Sequence, residues 1–104
     1  MTVGTIDVQD LALLLADGQP CLIDVREPHE FAAGHISGAR NVPLSGFDPD
    51  SLCDHADERL FFICAAGVRS ARAADICAQA GFENVINVLG GMYAWRDVGL
   101  PVVV

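Results

Sequence analysis

A chain of 104 residues has room for one hydrophobic core and too little for two ordinary domains, so a single domain over 1–104 is expected. With 52% hydrophobic and 19% charged residues it encodes a packed globule rather than a disordered segment. Its formal charge of −8 argues against nucleic acid or an anionic membrane surface as partners, and means that a site for an anion has to be built locally.

The opening residues, Met1-Thr2-Val3-Gly4, carry neither a basic region nor a long apolar run, and no stretch approaches the length of a membrane span. A cytoplasmic location is therefore expected. Asp7 reads as the N-cap of a helix with Val8, Leu11, Leu14 and Leu15 at helical spacing, ended by Gly18 and Pro20. Cys21-Leu22-Ile23-Asp24-Val25 is a nearly continuous apolar run, the pattern of a strand covered on both faces. Pro28 opens a short helical turn bearing Phe31, which Gly34 closes. Residues 36–43 are irregular, and Pro43 starts a weak helical stretch through Leu44 and Leu52.

Leu60-Phe61-Phe62-Ile63 is the second buried strand. Gly67 separates it from a helix with Ala73, Ile76, Cys77 and Ala80 on one face and Gly81 at its C-terminal end. Val85-Ile86-Asn87-Val88-Leu89 is a third strand, and Gly90-Gly91 leads into a final helical turn carrying Met92, Tyr93 and Trp95, the two aromatics being assigned to the core. Short apolar strands alternating with helices predict an α/β domain of three layers, a mostly parallel central sheet with helices on both faces.

The chemistry concentrates between the second strand and the following helix, in Cys64-Ala65-Ala66-Gly67-Val68-Arg69-Ser70. In open α/β sheets ligands gather at the carboxyl ends of strands, and Cys64 is the first residue after one. Gly67 can turn successive N–H groups inward, and a helix starting near Arg69 adds its unpaired amides. Such a ring stabilises a thiolate and holds an anion beside it. Arg69 supplies a fixed positive charge, and Ser70 either adds a hydroxyl to the ring or caps the helix.

The commoner fate of a cysteine is to serve as a small buried hydrophobe, and Cys21 and Cys77 fit that description, while Cys53 has no evident site. The cysteines form no C-x-x-C pair and no secreted-scaffold spacing, so they are expected to be reduced. His29, His35 and His55 do not join them at zinc-ligand spacing, so no metal site is expected.

The loop resembles the active-site loop of single-domain rhodaneses, C-x-x-G-x-R-S. Asp24-Val25-Arg26-Glu27 with Glu30-Phe31, and Gly34-His35-Ile36-Ser37-Gly38-Ala39, are similar to that family's first signature. Asn41-Val42-Pro43 follows as it does there, and Gly90-Gly91-Met92-Tyr93-Ala94-Trp95 resembles the closing motif. Ser37 stands where many relatives carry proline. The resemblance implies a rhodanese-like fold and a thiosulfate sulfurtransferase. Its donor would be a small anion, thiosulfate or a related persulfide, and its acceptor cyanide, a thiol or a protein. Cys64 would be the nucleophile that becomes a persulfide, and the backbone of Ala65, Ala66, Gly67, Val68, Arg69 and Ser70 would hold the transferred sulfur. Neither cofactor nor metal is called for.

Asp24 and Arg26 are supporting candidates. By resemblance the Asp24 carboxylate braces the loop, or else it caps the next turn; Arg26 attracts the donor, or else pairs with Glu30 four residues on. His35 reads as a hydrogen-bonded structural residue and Arg72 as solvent-facing. The acidic group Asp48, Asp50, Asp54, Asp57 and Glu58 is most simply a solvated face.

Two alternatives are weighed. A cysteine phosphatase or arsenate reductase would use a C-x5-R ring, whereas four residues separate Cys64 from Arg69 here, which suits a single sulfur atom better than phosphate. A non-catalytic rhodanese-fold binding or sulfur-relay module is the other, and the retained cysteine and loop glycine argue against a purely binding role.

Overall fold

A computed structural model describes residues 3–18, 20–55 and 58–104. The chain runs β1 (Gly4–Ile6), α1 (Val8–Asp17), β2 (Cys21–Asp24), α2 (Pro28–Ala32) and β3 (Arg40–Asn41). Two 3-10 segments follow, Leu44–Gly46 and Pro49–His55, and then β4 (Leu60–Ile63), α3 (Val68–Gln79), β5 (Val85–Val88) and α4 (Gly91–Asp97). The five strands form one sheet in the order β1-β5-β4-β2-β3, and every neighbouring pair is parallel.

The side-chain alternation of β4 divides the core. Leu60, Phe62 and Cys64 face one layer with Ile23, Val25 and Val85, where α3 contributes Ala73, Ala74, Cys77 and Ala78. Phe61 and Ile63 face the opposite layer with Leu22 and Val88, packed by Val8 and Leu11 of α1 and Met92 and Trp95 of α4. A central strand covered on both sides has no polar face, which is why β4 reads as an unbroken apolar run.

Local signals act where expected at several ends. The Asp7 carboxylate accepts from the Asp10 amide at 2.8 Å and caps α1. Ala80 closes α3 and Gly81 follows at φ +103°, with the Phe82 amide reaching back to the Cys77 carbonyl at 3.0 Å. This is the 6→1 bond of a left-handed helix stop, and Phe82 is buried beside it.

Some expectations change. The third strand ends at Val88, and Leu89 lies past it, 48% exposed. Helix α3 starts at Val68, one residue before Arg69, with Gly67 as its N-cap. Trp95 is buried and donates Nε1–H to the Pro101 carbonyl at 2.9 Å, but Tyr93, also assigned to the core, is 64% exposed. Two strands escaped the sequence reading, β1 and β3, both at sheet edges. Asp48, Asp50, Asp54 and Glu58 are exposed as a solvated face requires, while Asp57 lies outside the described residues. Among the described residues no helix is long and apolar enough to cross a membrane.

Candidate active site

In a wholly parallel sheet the carboxyl ends of all strands share one edge, and the loops after β2, β4 and β5 meet there. Cys64 follows β4 directly and is almost fully buried. Gly67, at φ +97°, bends the chain back so that its amide donates to Cys64 Sγ at 3.1 Å. Ser70 is buried one turn into α3, with Oγ 3.3 Å from Sγ, and donates its hydroxyl to Asn87 Oδ1 at 2.6 Å. Asn87 Nδ2 in turn donates to the Gly67 carbonyl at 3.2 Å, so one β5 side chain fixes both the loop and the serine. Since Gly67 caps α3, Ser70 takes the ring alternative rather than the capping one.

These contacts oppose the cost of burying charge. Burial is the largest single influence on the Cys64 thiol and raises its pKa. The Ser70 hydroxyl and the amides of Ser70, Gly67 and Ala66 together outweigh it and hold the thiol below its ordinary value. Cys77 has burial without such donors and is pushed up to about 11, and burial raises Cys21 as well. Cys53 is exposed.

Helix α4 fixes the backbone of the nucleophile. The Met92 amide donates to the Cys64 carbonyl at 2.8 Å and the Tyr93 amide to the Ala65 carbonyl at 3.0 Å. This approach leaves no space at Gly91, where a Cβ would collide with the Cys64 carbonyl oxygen and lie 2.7 Å from that of Ala65. The Gly-Gly pair, legible in the sequence only through resemblance, thus has a steric cause.

The charged residues are arranged differently from the expectation. Arg69 makes a two-pronged ion pair with Glu30, Nη1 to Oε1 at 2.7 Å and Nη2 to Oε2 at 2.9 Å. The hydrogen bonds from Arg69 hold the Glu30 carboxyl at about 2, and the same contact raises the pKa of Arg69. The loop's guanidinium is therefore charge-compensated rather than a free positive centre. The anticipated Arg26–Glu30 side-chain pair does not form. Arg26 is buried and holds Asp24 through Nε at 3.0 Å and Nη2 at 2.8 Å, and it donates to the main-chain carbonyls of Glu30 and Gly34.

Asp24 is fully buried, so it is no surface group, yet its Oδ1 accepts the Arg26 amide at 3.0 Å and so caps the turn that follows. Asp24 and Arg26 lock the turn that carries Glu30, and they reach the loop through Glu30 and Arg69. Asn41 adds to this turn by donating Nδ2 to the carbonyls of Asp24 and Arg26 at 3.0 and 2.8 Å.

Of the remaining loop residues, Ala65 is half-buried, Ala66 is exposed, and Val68 directs its side chain to solvent at 76% exposure. His35 donates Nδ1–H to the Phe31 carbonyl at 2.8 Å and stacks on the Phe31 ring at 3.7 Å, a structural arrangement. Arg72 is exposed. Residue-by-residue reading missed Asn87 and the Glu30–Arg69 partnership. Asn87 left one signal, a polar residue inside the apolar run Val85–Val88, since a buried amide needs partners. Chemically, the loop presents a buried nucleophilic sulfur ringed by N–H donors, able to attack an electrophilic atom and to hold negative charge on whatever is added.

The sequence profile of the rhodanese-like domain family matches residues 7–97. An uncharacterized protein of Synechocystis sp. is 36% identical over 95% of this chain, and the chain spans 55% of that protein's length. A protein of Allochromatium vinosum named a sulfurtransferase is 35% identical, with 97% of this chain and 95% of the relative covered. A rhodanese-related protein of Thermoplasma volcanium superposes with a TM-score of 0.84 at 34% identity, covering 96% of this chain and 97% of the other. The sheet order, the ringed cysteine and these likenesses agree, and the chain belongs to the rhodanese-like domain family.

Proposed function

We propose that the protein is a sulfurtransferase that carries sulfane sulfur on Cys64 from thiosulfate or a related persulfide donor to a thiophilic acceptor such as cyanide, a thiol or a protein. The observation that carries this reading is the donor ring about Sγ: the Gly67 amide at 3.1 Å and the Ser70 hydroxyl oxygen at 3.3 Å, with a thiol held below its ordinary pKa. The Cys64 thiolate attacks the outer sulfur of the donor; the new S–S bond forms as the donor's own bond to that sulfur breaks. With thiosulfate, sulfite leaves with the bonding electron pair. The persulfide keeps the negative charge on its outer sulfur, where the loop amides from Ala65 to Ser70 receive it, as donors receive an oxyanion elsewhere. An acceptor thiolate then attacks that outer sulfur and Cys64 leaves as thiolate. No general base is called for, because the donors that hold the thiol below its ordinary pKa favour the thiolate directly.

The short loop favours this reading over hydrolysis of phosphate esters. Four residues separate Cys64 from Arg69, the Gly67 amide closes on the sulfur, and Arg69 is paired with Glu30.

The test is the intact mass of the reduced protein after brief exposure to thiosulfate or to inorganic polysulfide, with Cys64→Ala in parallel. One added sulfur on the wild type, removed by cyanide and absent from the variant, is expected. Addition of sulfur to the variant at the wild-type level would assign the chemistry to another residue and end this reading.

A further inference from the structure

Asn87 stands inside the apolar run of β5, turned toward α3, and is buried together with Ser70. The orientation of its amide follows from its partners. The Gly67 carbonyl carries no proton, so Nδ2 has to face it, at 3.2 Å. Oδ1 is thereby turned to Ser70, which has to donate, at 2.6 Å. A serine has one hydroxyl proton, and this contact uses it. Cys64 Sγ lies 3.3 Å from the same hydroxyl oxygen, where either atom can be the donor. While the Ser70 proton rests on Asn87, only a thiol S–H can fill that contact.

Each state of the sulfur meets this chain of bonds differently. A thiol completes it, Cys64 donating to Ser70 and Ser70 to Asn87. A thiolate has no proton to give. Either Ser70 turns to the sulfur and strands the buried Oδ1, or it stays on Asn87 and presents a lone pair to a negative sulfur. In a persulfide Sγ is neutral and a weak acceptor, and the charge sits on the outer sulfur. The Ser70 proton then returns to Asn87 and every bond is made. From this contest over one proton we propose that Asn87 is a positioning residue that acts through Ser70 to disfavour the bare Cys64 thiolate relative to the persulfide, and so drives sulfur loading. The proposal rests on Cys64 being the sulfur carrier. In the loading step the thiolate forms an S–S bond to the donor's outer sulfur, the donor's own bond to that sulfur breaks, and the leaving group takes the electron pair. The negative charge thereby moves one atom away from Ser70. The charged groups about the loop are bound to one another rather than to this chain. Arg69, whose charge feels the thiolate, is paired with Glu30 and has Glu27 nearby, and Asp24 is paired with Arg26. Helix α4 contributes the backbone amides of Met92 and Tyr93.

A double-variant cycle of Asn87→Leu and Ser70→Ala separates this role from the anchoring of the loop. Asn87→Leu also frees the Gly67 carbonyl, but that effect does not depend on a hydroxyl at position 70. One readout is the ratio of persulfide to free thiol on the Cys64 peptide, by mass after alkylation, at a fixed polysulfide-to-sulfide ratio. The other is the pH midpoint of Cys64 alkylation by iodoacetamide. With Ser70 present, Asn87→Leu is expected to lower the loaded ratio by a factor about threefold or more beyond its effect in the Ser70→Ala background. The midpoint shift it causes is expected to lie below the shift it causes in that background, because the freed hydroxyl can serve the thiolate. Equal effects in the two backgrounds would overturn the proposal, leaving Asn87 a structural anchor and Cys64 still the carrier. If polysulfide adds no sulfur to Cys64 of the wild type, the proposed function itself falls and this proposal with it. Should Asn87→Leu fail to fold, Asn87→Ala, which leaves room for water at the Gly67 carbonyl, decides by the same cycle.

Discussion

The sulfur of Cys64 sits where burial and hydrogen bonding act in opposite directions. A thiol taken out of water resists ionisation, as Cys77 does at about 11, and what sets Cys64 apart is a hydroxyl and a set of amides aimed at one point. Ser70 is the replaceable member of that set. Its hydroxyl donates to Asn87 Oδ1 at 2.6 Å, and the same oxygen lies 3.3 Å from the sulfur, a contact in which either atom can be the donor. Removing it as Ser70→Ala takes away a contact that favours the thiolate, so the thiol pKa moves up. The check is the rate of alkylation by iodoacetamide as a function of pH. The wild-type midpoint is expected below that of an ordinary cysteine and the variant's above the wild type's. An unmoved midpoint would mean that the amides alone hold the thiolate. Asn87→Ala is expected to have a second consequence, because it also frees the Gly67 carbonyl and loosens the loop itself.

Single positions act here through the elements they let approach. Helix α4 comes close enough to donate two amides to the carbonyls of Cys64 and Ala65 only because position 91 has no side chain. Gly91 also has φ +55°, where a Cβ is strained in any surroundings. Gly91→Ala therefore meets a collision with two backbone carbonyls as well as an unfavourable backbone conformation. It is expected to destabilise the fold by about 3 kcal/mol and to uncouple α4 from the loop. Urea denaturation measures the first and the alkylation profile of Cys64 the second. A variant of wild-type stability would show that α4 can withdraw without cost.

The same scale explains what the sequence made legible. Elements whose signals are local were readable: the Asp7 cap, the two-faced apolar runs of β2 and β4, and the helix stop at Gly81. Strands β1 and β3 were not, because three and two residues at sheet edges carry no periodicity and owe their form to β5 and β2 beside them. The thiol and its loop were readable from a cysteine at a strand end followed by glycine. The partner of Arg69 was not, since Glu30 lies 39 residues away and only the fold brings them together. Nor was the inward turn of Arg26, which a four-residue spacing assigns to Glu30 and the buried Asp24 claims instead.

At the scale of the whole molecule, the compensated Arg69 makes a prediction about sign. The protein measures 35 × 28 × 21 Å and carries −8. At about 10 mM ionic strength the screening length is roughly 30 Å, so an approaching anion feels the charge of the entire surface; at about 150 mM it is roughly 8 Å, and only the local site acts. With a free guanidinium beside Cys64 the local site would attract thiosulfate, and added salt would weaken that attraction. With Arg69 bound to Glu30 its pull on the donor is offset, the overall charge of −8 governs the approach, and added salt relieves that repulsion. The specificity constant kcat/KM for thiosulfate is therefore expected to rise several-fold between these two salt concentrations. Glu30→Gln removes one negative charge and releases Arg69, so its salt response is expected to flatten or reverse. Steady-state sulfur transfer to cyanide across a potassium chloride series reads both. A fall in kcat/KM with salt for the wild type would show that the Arg69 charge reaches the donor despite its ion pair.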